Sequence, residues 1–224
     1  MKKYKIEIIL GAVFTGLFMC FWFWHSPVTG KLTQDEINHY MGVIEKNAFP
    51  PSEKVEVLRR LRRWAENDDG EPVFMLNLMR DYDQLHRYPG TPDFQGTPEQ
   101  SNKFYEKNAV PLLIERGSYP LFFGKPQGEN IVGFEPGLSD WSEVLIVRYR
   151  DRRAFLSLVA DPRYGPIMPY KLMATQLNLI PNTGKAVIPD MRLIVGAVLL
   201  VVFLAVGWVK AAHDKTDTKP GARA

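Results

Sequence analysis

The chain has 224 residues, 46% hydrophobic and 24% charged, which leaves room for one folded domain with added segments and excludes an intrinsically disordered polymer. Its single cysteine, Cys20, excludes an internal disulfide framework or a cysteine metal cluster. The net charge is +3, yet residues 31–190 hold 20 Lys+Arg against 22 Asp+Glu, so the basic excess lies at the two ends and nucleic acid is not an expected partner.

Both ends read as membrane segments. Residues 8–24, IILGAVFTGLFMCFWFW, carry no charge and follow Lys2, Lys3 and Lys5. An uncharged apolar run of this length matches the hydrocarbon thickness of a bilayer, and a transmembrane helix is expected within residues 1–25. A cleaved signal peptide is the competing reading. The apolar core is long for one, no A-x-A-like site follows, and Met19 stands in LFMC where a lipoprotein box needs a small residue. Residues 193–209, LIVGAVLLVVFLAVGWV, predict a second transmembrane helix over 191–210. Trp22, Trp24 and Trp208 sit near run ends, where interfacial aromatics belong. Lysines and Arg223 crowd both tips, which predicts two passes of a bacterial inner membrane, cytoplasmic termini and a periplasmic middle. Residues 211–224 are expected to be a disordered cytoplasmic tail.

After a breaker-rich linker, residues 31–68 predict a helical hairpin. Thr33 and Glu36 form a capping-box pattern, with Ile37, Tyr40, Met41 and Ile44 as the apolar stripe; AFPP ends this helix, and a second starts near Ser52. The run RRLRR in that second helix is read as a solvated face, with contact to anionic head groups as the alternative. PVFMLNLMR, residues 72–80, has the content of a strand without its usual alternation. Val73, Met75 and Met79 share one side with Asn77, while Phe74, Leu76 and Leu78 take the other, so both sides need cover. A long connection containing Tyr82, His86, Tyr88 and Phe94 leads to a helix over 99–116 that Gly117 caps. YPLFFG and WSEVLIVRYR predict two further strands. Asp151 caps a helix that ends at Asp161-Pro162, a short helical piece follows over 167–174, and QLNLIP is the last strand. The order β-α-β-β-α-β is the ferredoxin-like unit over residues 71–184, an α+β fold whose helices cover one sheet face. Two-sided apolar strands then predict a homodimer formed through the other face.

PVFMLNLMR, YEKNAVPLLIERGSYPLFFG, WSEVLIVRYRDRRAFLSLVADPRYGPI and LNLIP resemble the bacterial domain of unknown function 1330 family, of the dimeric α/β-barrel, ferredoxin-like group, over about residues 71–183. The resemblance implies that fold and a dimer but no particular reaction. Its recurring positions fall on Asn77, Arg80, Tyr105, Gly117, Trp141, Phe155 and Tyr164. Where the family often carries an arginine-rich patch, this chain has MPYKLMA, with Lys171 in its place.

The ligand-binding candidates are Asn77, Arg80, Tyr105, Trp141, Tyr164 and His86; no catalytic residue, metal or cofactor is assigned. Asn77 either orients a ligand oxygen or ties down neighbouring backbone, and a buried amide must have one partner or the other. Arg80 meets an anionic ligand or pairs with Asp81 or Asp83. Tyr105 and Tyr164 cap a pocket or serve as core tyrosines, and Trp141 anchors a strand start or stacks on a substrate. His86 is the histidine placed to act as a general base or haem ligand, though no second ligand residue is spaced with it. There is no phosphate loop, G-x-S-x-G or H-E-x-x-H. The expected function is a membrane-tethered module binding a small apolar ligand or a membrane-protein partner. The alternatives are a cofactor-independent oxygenase or isomerase acting on a phenolic or lipid-like compound, and a structural subunit of a membrane assembly.

Overall fold

A computed structural model describes residues 5–28, 30–133, 137, 139–185 and 190–217. The chain divides into two units, residues 1–25 with 186–224, and residues 26–185.

The first unit is a pair of helices, α1 (Lys5–His25) and α7 (Met191–Asp217). Both are long and apolar enough to cross a membrane. They pack antiparallel. Glu7 pairs with Lys210, a Cβ placed on Gly11 would meet the Phe203 ring at 3.7 Å and one on Gly196 the Phe18 ring at 3.3 Å, and the Arg192 guanidinium sits 4.9 Å from the Trp22 ring. At Gly11 that is ordinary contact, whereas at Gly196 the Phe18 ring would have to give slightly to admit a side chain. The second helix continues through Asp217, beyond the expected start of the tail at 211, and residues 218–224 lie outside the described residues.

The second unit begins with a hairpin, α2 (Gln34–Ile44) and α3 (Pro51–Glu66). The predicted capping box forms: the Thr33 hydroxyl accepts from Glu36 N, and the Glu36 carboxylate accepts from Thr33 N at 2.8 Å. Then follow β1 (Val73–Asp81), α4 (Pro98–Glu115), β2 (Tyr119–Gly124), β3 (Glu143–Tyr149), α5 (Arg152–Val159), α6 (Met168–Leu172) and β4 (Thr175–Thr183). The strands form one antiparallel sheet in the order β2-β3-β1-β4, so β1 and β3 are central. This is the β-α-β-β-α-β succession that the sequence predicts.

The hairpin does not stand apart from the sheet domain. Ile37, Met41, Ile44 and Ala65 belong to the same core as Val73, Met75, Val147 and Tyr149. Phe155 joins the layers, its ring edge-on to both Trp64 (5.4 Å) and Tyr149 (5.1 Å). Asp151 has two roles: its carboxylate accepts from Ala154 N (2.7 Å) to cap α5 and from Val28 N (2.8 Å) to hold the start of the unit. The arginine run is ion-paired, with Arg59 and Arg60 both on Glu56 at 2.6 Å.

Register divides the sheet into two surfaces, because residues paired across strands share a side. Val73, Met75, Asn77 and Met79, with Val147 and Tyr149, face the helices and are buried. Phe74, Leu76 and Leu78 share the other surface with Val144, Ile146, Ile180 and Phe122. No helix among the described residues of this unit covers that surface: Phe122 is 53% and Ile180 41% exposed, whereas Met75 on the covered side is 2% exposed.

The connection after β1 closes onto the helical side, not over the open surface. Tyr82 N and His86 N donate to the carbonyls of Ala174 and Met173 at 3.0 and 2.7 Å, and the Tyr88 hydroxyl reaches Ala48 O at 3.2 Å. Gly90 is required there: its φ is +94°, and a Cβ would meet that of Ala48 at 2.8 Å.

Candidate functional site

Asn77 uses its amide completely. Nδ2 donates to the carbonyls of Met75 (3.0 Å) and Leu145 (3.3 Å), and Oδ1 accepts from Lys171 Nζ at 2.9 Å. An asparagine in the middle of an apolar strand therefore has a physical cause: it receives a lysine from α6 that is only 6% exposed. The space beside Asn77 is filled by this side chain. Burial draws the Lys171 pKa down to about 8, against the opposing pull of the Glu106 and Glu143 carboxylates. The ammonium also lies 5.2 Å from the Tyr105 ring centroid.

Three of the candidates thus come together. The Tyr105 and Tyr164 hydroxyls are 2.9 Å apart, with their rings edge-on at 6.0 Å. Burial raises the pKa of both phenols, so they act as neutral hydrogen-bonding groups. Beyond Lys171 lies a second amide. Asn102 of α4, 5% exposed, directs Nδ2 at Glu106 Oε1 (3.1 Å) and Glu143 Oε2 (3.4 Å). Its Oδ1 is buried and has no hydrogen-bond partner among the described residues. Burial raises the pKa of both glutamates, and the charge of Glu106 adds to the rise at Glu143. The result is a buried ammonium, two half-buried carboxylates and two phenols between the sheet and its helices.

Arg80 and Trp141 lie elsewhere, and Arg80 makes neither of the expected ion pairs. Its guanidinium donates to the carbonyls of Gly137 (3.3 Å), Ser139 and Asp140 (3.2 Å), and sits 5.1 Å from the Trp141 ring. It pins the approach to β3, a stretch in which Asp140 takes a positive φ of 68°. Trp141 helps line a groove of about 430 Å³ on the open sheet surface, with Leu78, Phe122 and Val144 as apolar walls and Lys125 among its polar residues. His86 is exposed and stacks on Tyr82, ring centroids 5.1 Å apart. It has no hydrogen bond to the Lys171 cluster among the described residues.

Reasoning from sequence named Lys171 only as a replacement for an arginine-rich patch, and passed over Asn102, Glu106 and Glu143. Two signals were available. A mid-strand asparagine demands a polar partner, and Asn102 and Glu106 stand four residues apart on one face of a helix. Neither reveals the partner from another segment, because the pairs span 94 residues (Asn77–Lys171) and 41 residues (Asn102–Glu143). Among the described residues no group of three or more His, Cys, Asp or Glu is placed to hold a metal ion.

No family model matches the chain and no curated protein matches it. Among solved structures it is similar to a Rhodopseudomonas palustris protein of unknown function, 24% identical over 60% of this chain and 94% of that one, with a TM-score of 0.48. It is also similar to SnoaB, a cofactor-independent oxygenase from Streptomyces nogalater, 13% identical over 54% of this chain and 99% of that one, with a TM-score of 0.35. At these values the likenesses carry no functional argument, and membership of the resembled family stays an expectation.

Proposed function

We propose that this chain is a membrane-anchored, extracytoplasmic module that binds a small, mostly apolar molecule, working as a homodimer of the dimeric α/β-barrel type joined across the open sheet surface. One observation carries the reading. Phe74, Leu76, Leu78, Val144, Ile146, Phe122 and Ile180 form an apolar patch on the sheet face that no helix among the described residues of this unit covers, bordered by Arg148, Asn178 and Asn182, and a groove runs along it. Such a patch marks an interaction surface on a soluble domain. A second copy would shield it and roof the groove, leaving a largely apolar chamber with Trp141 in its wall. The two apolar helices supply the anchor, and the basic residues at both tips set cytoplasmic termini.

The enzymatic alternative, a cofactor-independent oxygenase or isomerase, is the weaker reading for the residues first expected to carry it. Arg80 spends its donors on backbone carbonyls, Asn77 spends its amide on Lys171 and two strands, and His86 is exposed on a loop. Native mass spectrometry of the full-length protein in mild detergent tests the proposal. A dimer that retains a small molecule is expected. A monomer, or a dimer that is empty in repeated preparations, would contradict it.

A further inference from the structure

The run RRLRR reads in the sequence as a solvated face, but in the folded unit it lines a groove. Arg59, Arg60, Arg63, Trp64 and Asn67 from the second half of α3 meet Arg152 from the start of α5 around a volume of about 480 Å³. The five α3 positions recur three and four apart, so they share one side of the helix. No carboxylate lines the groove among the described residues. Glu56 serves both Arg59 and Arg60, at 2.6 Å each, and the exposed Arg63 has no ion pair among the described residues. Three arginines against one paired carboxylate leave two positive charges unmatched. Arg152 is the balanced member. Asp68 and Asp69 lie 3.6 and 3.3 Å from its guanidinium, which donates to Trp64 O at 2.6 Å and sits 5.2 Å from the Trp64 ring. It fixes the end of α3 against α5.

The groove's place in the unit says which anion is at hand. Val28 N donates to Asp151 Oδ2 at 2.8 Å, and Arg153 Nη2 donates to Lys31 O at 3.2 Å, so the entering segment is held by both neighbours of Arg152. Thr183, at the end of β4, pairs with Val73, which also pairs with Tyr149 just before α5. Both links to the apolar helices therefore leave the folded unit at the end that carries Arg152. Val28 stands three residues after His25, the last residue of α1, a link that spans at most about 11 Å. We propose that this arginine groove binds the phosphate head group of an anionic phospholipid in the membrane that anchors the chain. Guanidinium forks match phosphate oxygens in pairs, and an indole beside them suits the boundary between head groups and water. Single contacts of this kind are weak, but an anchored chain meets head groups at high effective concentration, so a weak site stays filled. The inference rests on the anchored reading of α1 and α7, and not on the dimer or the open sheet surface.

The test places the photo-crosslinker p-benzoylphenylalanine at position 67, in place of Asn67, in the full-length protein in lipid nanodiscs. With phosphatidylcholine and phosphatidylglycerol both present, irradiation should attach phosphatidylglycerol in preference. Adding Arg60→Gln and Arg63→Gln, both at exposed positions, should cut that adduct roughly tenfold. Inorganic phosphate, set against chloride at equal ionic strength, should change it by less than about twofold. Asn67 Nδ2 donates to Arg63 O at 2.7 Å near the end of α3, so a second measurement leaves it in place. Hydrogen exchange over residues 59–67 of the otherwise unaltered protein should slow in discs that contain phosphatidylglycerol, relative to phosphatidylcholine alone, and should not slow in the double variant. The proposal is overturned by equal exchange in the two lipids, by equal attachment of both, by an adduct that survives the double substitution, or by crosslinks to protein alone. Loss of the adduct to inorganic phosphate would assign the groove to a free anion instead. A chain that elutes apart from the discs would overturn the anchor and this proposal together, whereas a chain that enters them with an empty groove would overturn this proposal alone.

Discussion

The two faces of one sheet show two solutions to the same strand chemistry. β1 presents apolar residues on both sides, and so does β3. On one side the helices and hairpin complete a continuous core, and that core encloses a polar knot of Asn77, Lys171, Asn102, Glu106 and Glu143. On the other, residues of the same size and hydrophobicity remain half-exposed. The contrast teaches that burial is decided by topology rather than by the strands: a β-α-β-β-α-β chain returns its helices to one face only. The covered face is closed by this unit's own helices, whereas on the open face Phe122 and Ile180 stay more than a third exposed.

The largest test of that contrast places a charge on the uncovered side. Ile146→Asp puts a carboxylate at the centre of the open surface, where a monomer tolerates it and a dimer would have to bury it. Self-association should weaken roughly a thousandfold, about 4 kcal/mol, measured by analytical ultracentrifugation in detergent. The folding midpoint should change little. On the covered side the reverse holds. Asn77→Leu takes the one hydrogen-bonded acceptor from a buried ammonium and should lower stability by about 3 kcal/mol in urea unfolding. Adding Lys171→Met to that variant should restore most of the loss, because two apolar side chains then meet.

The pH dependence sharpens the same point. The pKa of Lys171 is lowered by burial from 10.5 to about 8, so between these values the unfolded chain holds a proton that the native chain has released. The native state is penalised most below about pH 8, where the ammonium must be buried charged, and the penalty fades as the pH rises toward 10.5. Wild type should therefore gain up to about 3 kcal/mol relative to Lys171→Met across that interval. Denaturant melts of both proteins at stepped pH check the sign and the size. The smallest effect belongs to Arg80. Arg80→Ala should cost about 1 kcal/mol and speed hydrogen exchange at residues 139–142, with little change at Asn77.

Local chemistry made much of this fold legible. Thr33 and Glu36 announced their helix, Asp151 its cap, and Gly117, with φ +65°, the end of α4. The two-sided strand marks β1 as apolar on both faces, which the register shows. Less legible was whatever required distant segments to meet. Lys171 looks like a surface residue in MPYKLMA, and its burial depends on α6 folding back over β1. The hairpin reads as a separate element because its apolar stripe does not say what it packs on; Phe155, about ninety residues after Trp64, supplies part of that surface. Beside Asp81 and Asp83, Arg80 reads as a residue for an anionic ligand or a local ion pair, yet the carbonyls of a loop about 60 residues away in sequence take its donors.

Oxidative footprinting of the full-length protein in native membranes bears most directly on the open surface. A single chain leaves Phe122 and Ile180 53% and 41% exposed. The account predicts that both are shielded in wild type and become labelled in Ile146→Asp. Equal, strong labelling in the two proteins would contradict it.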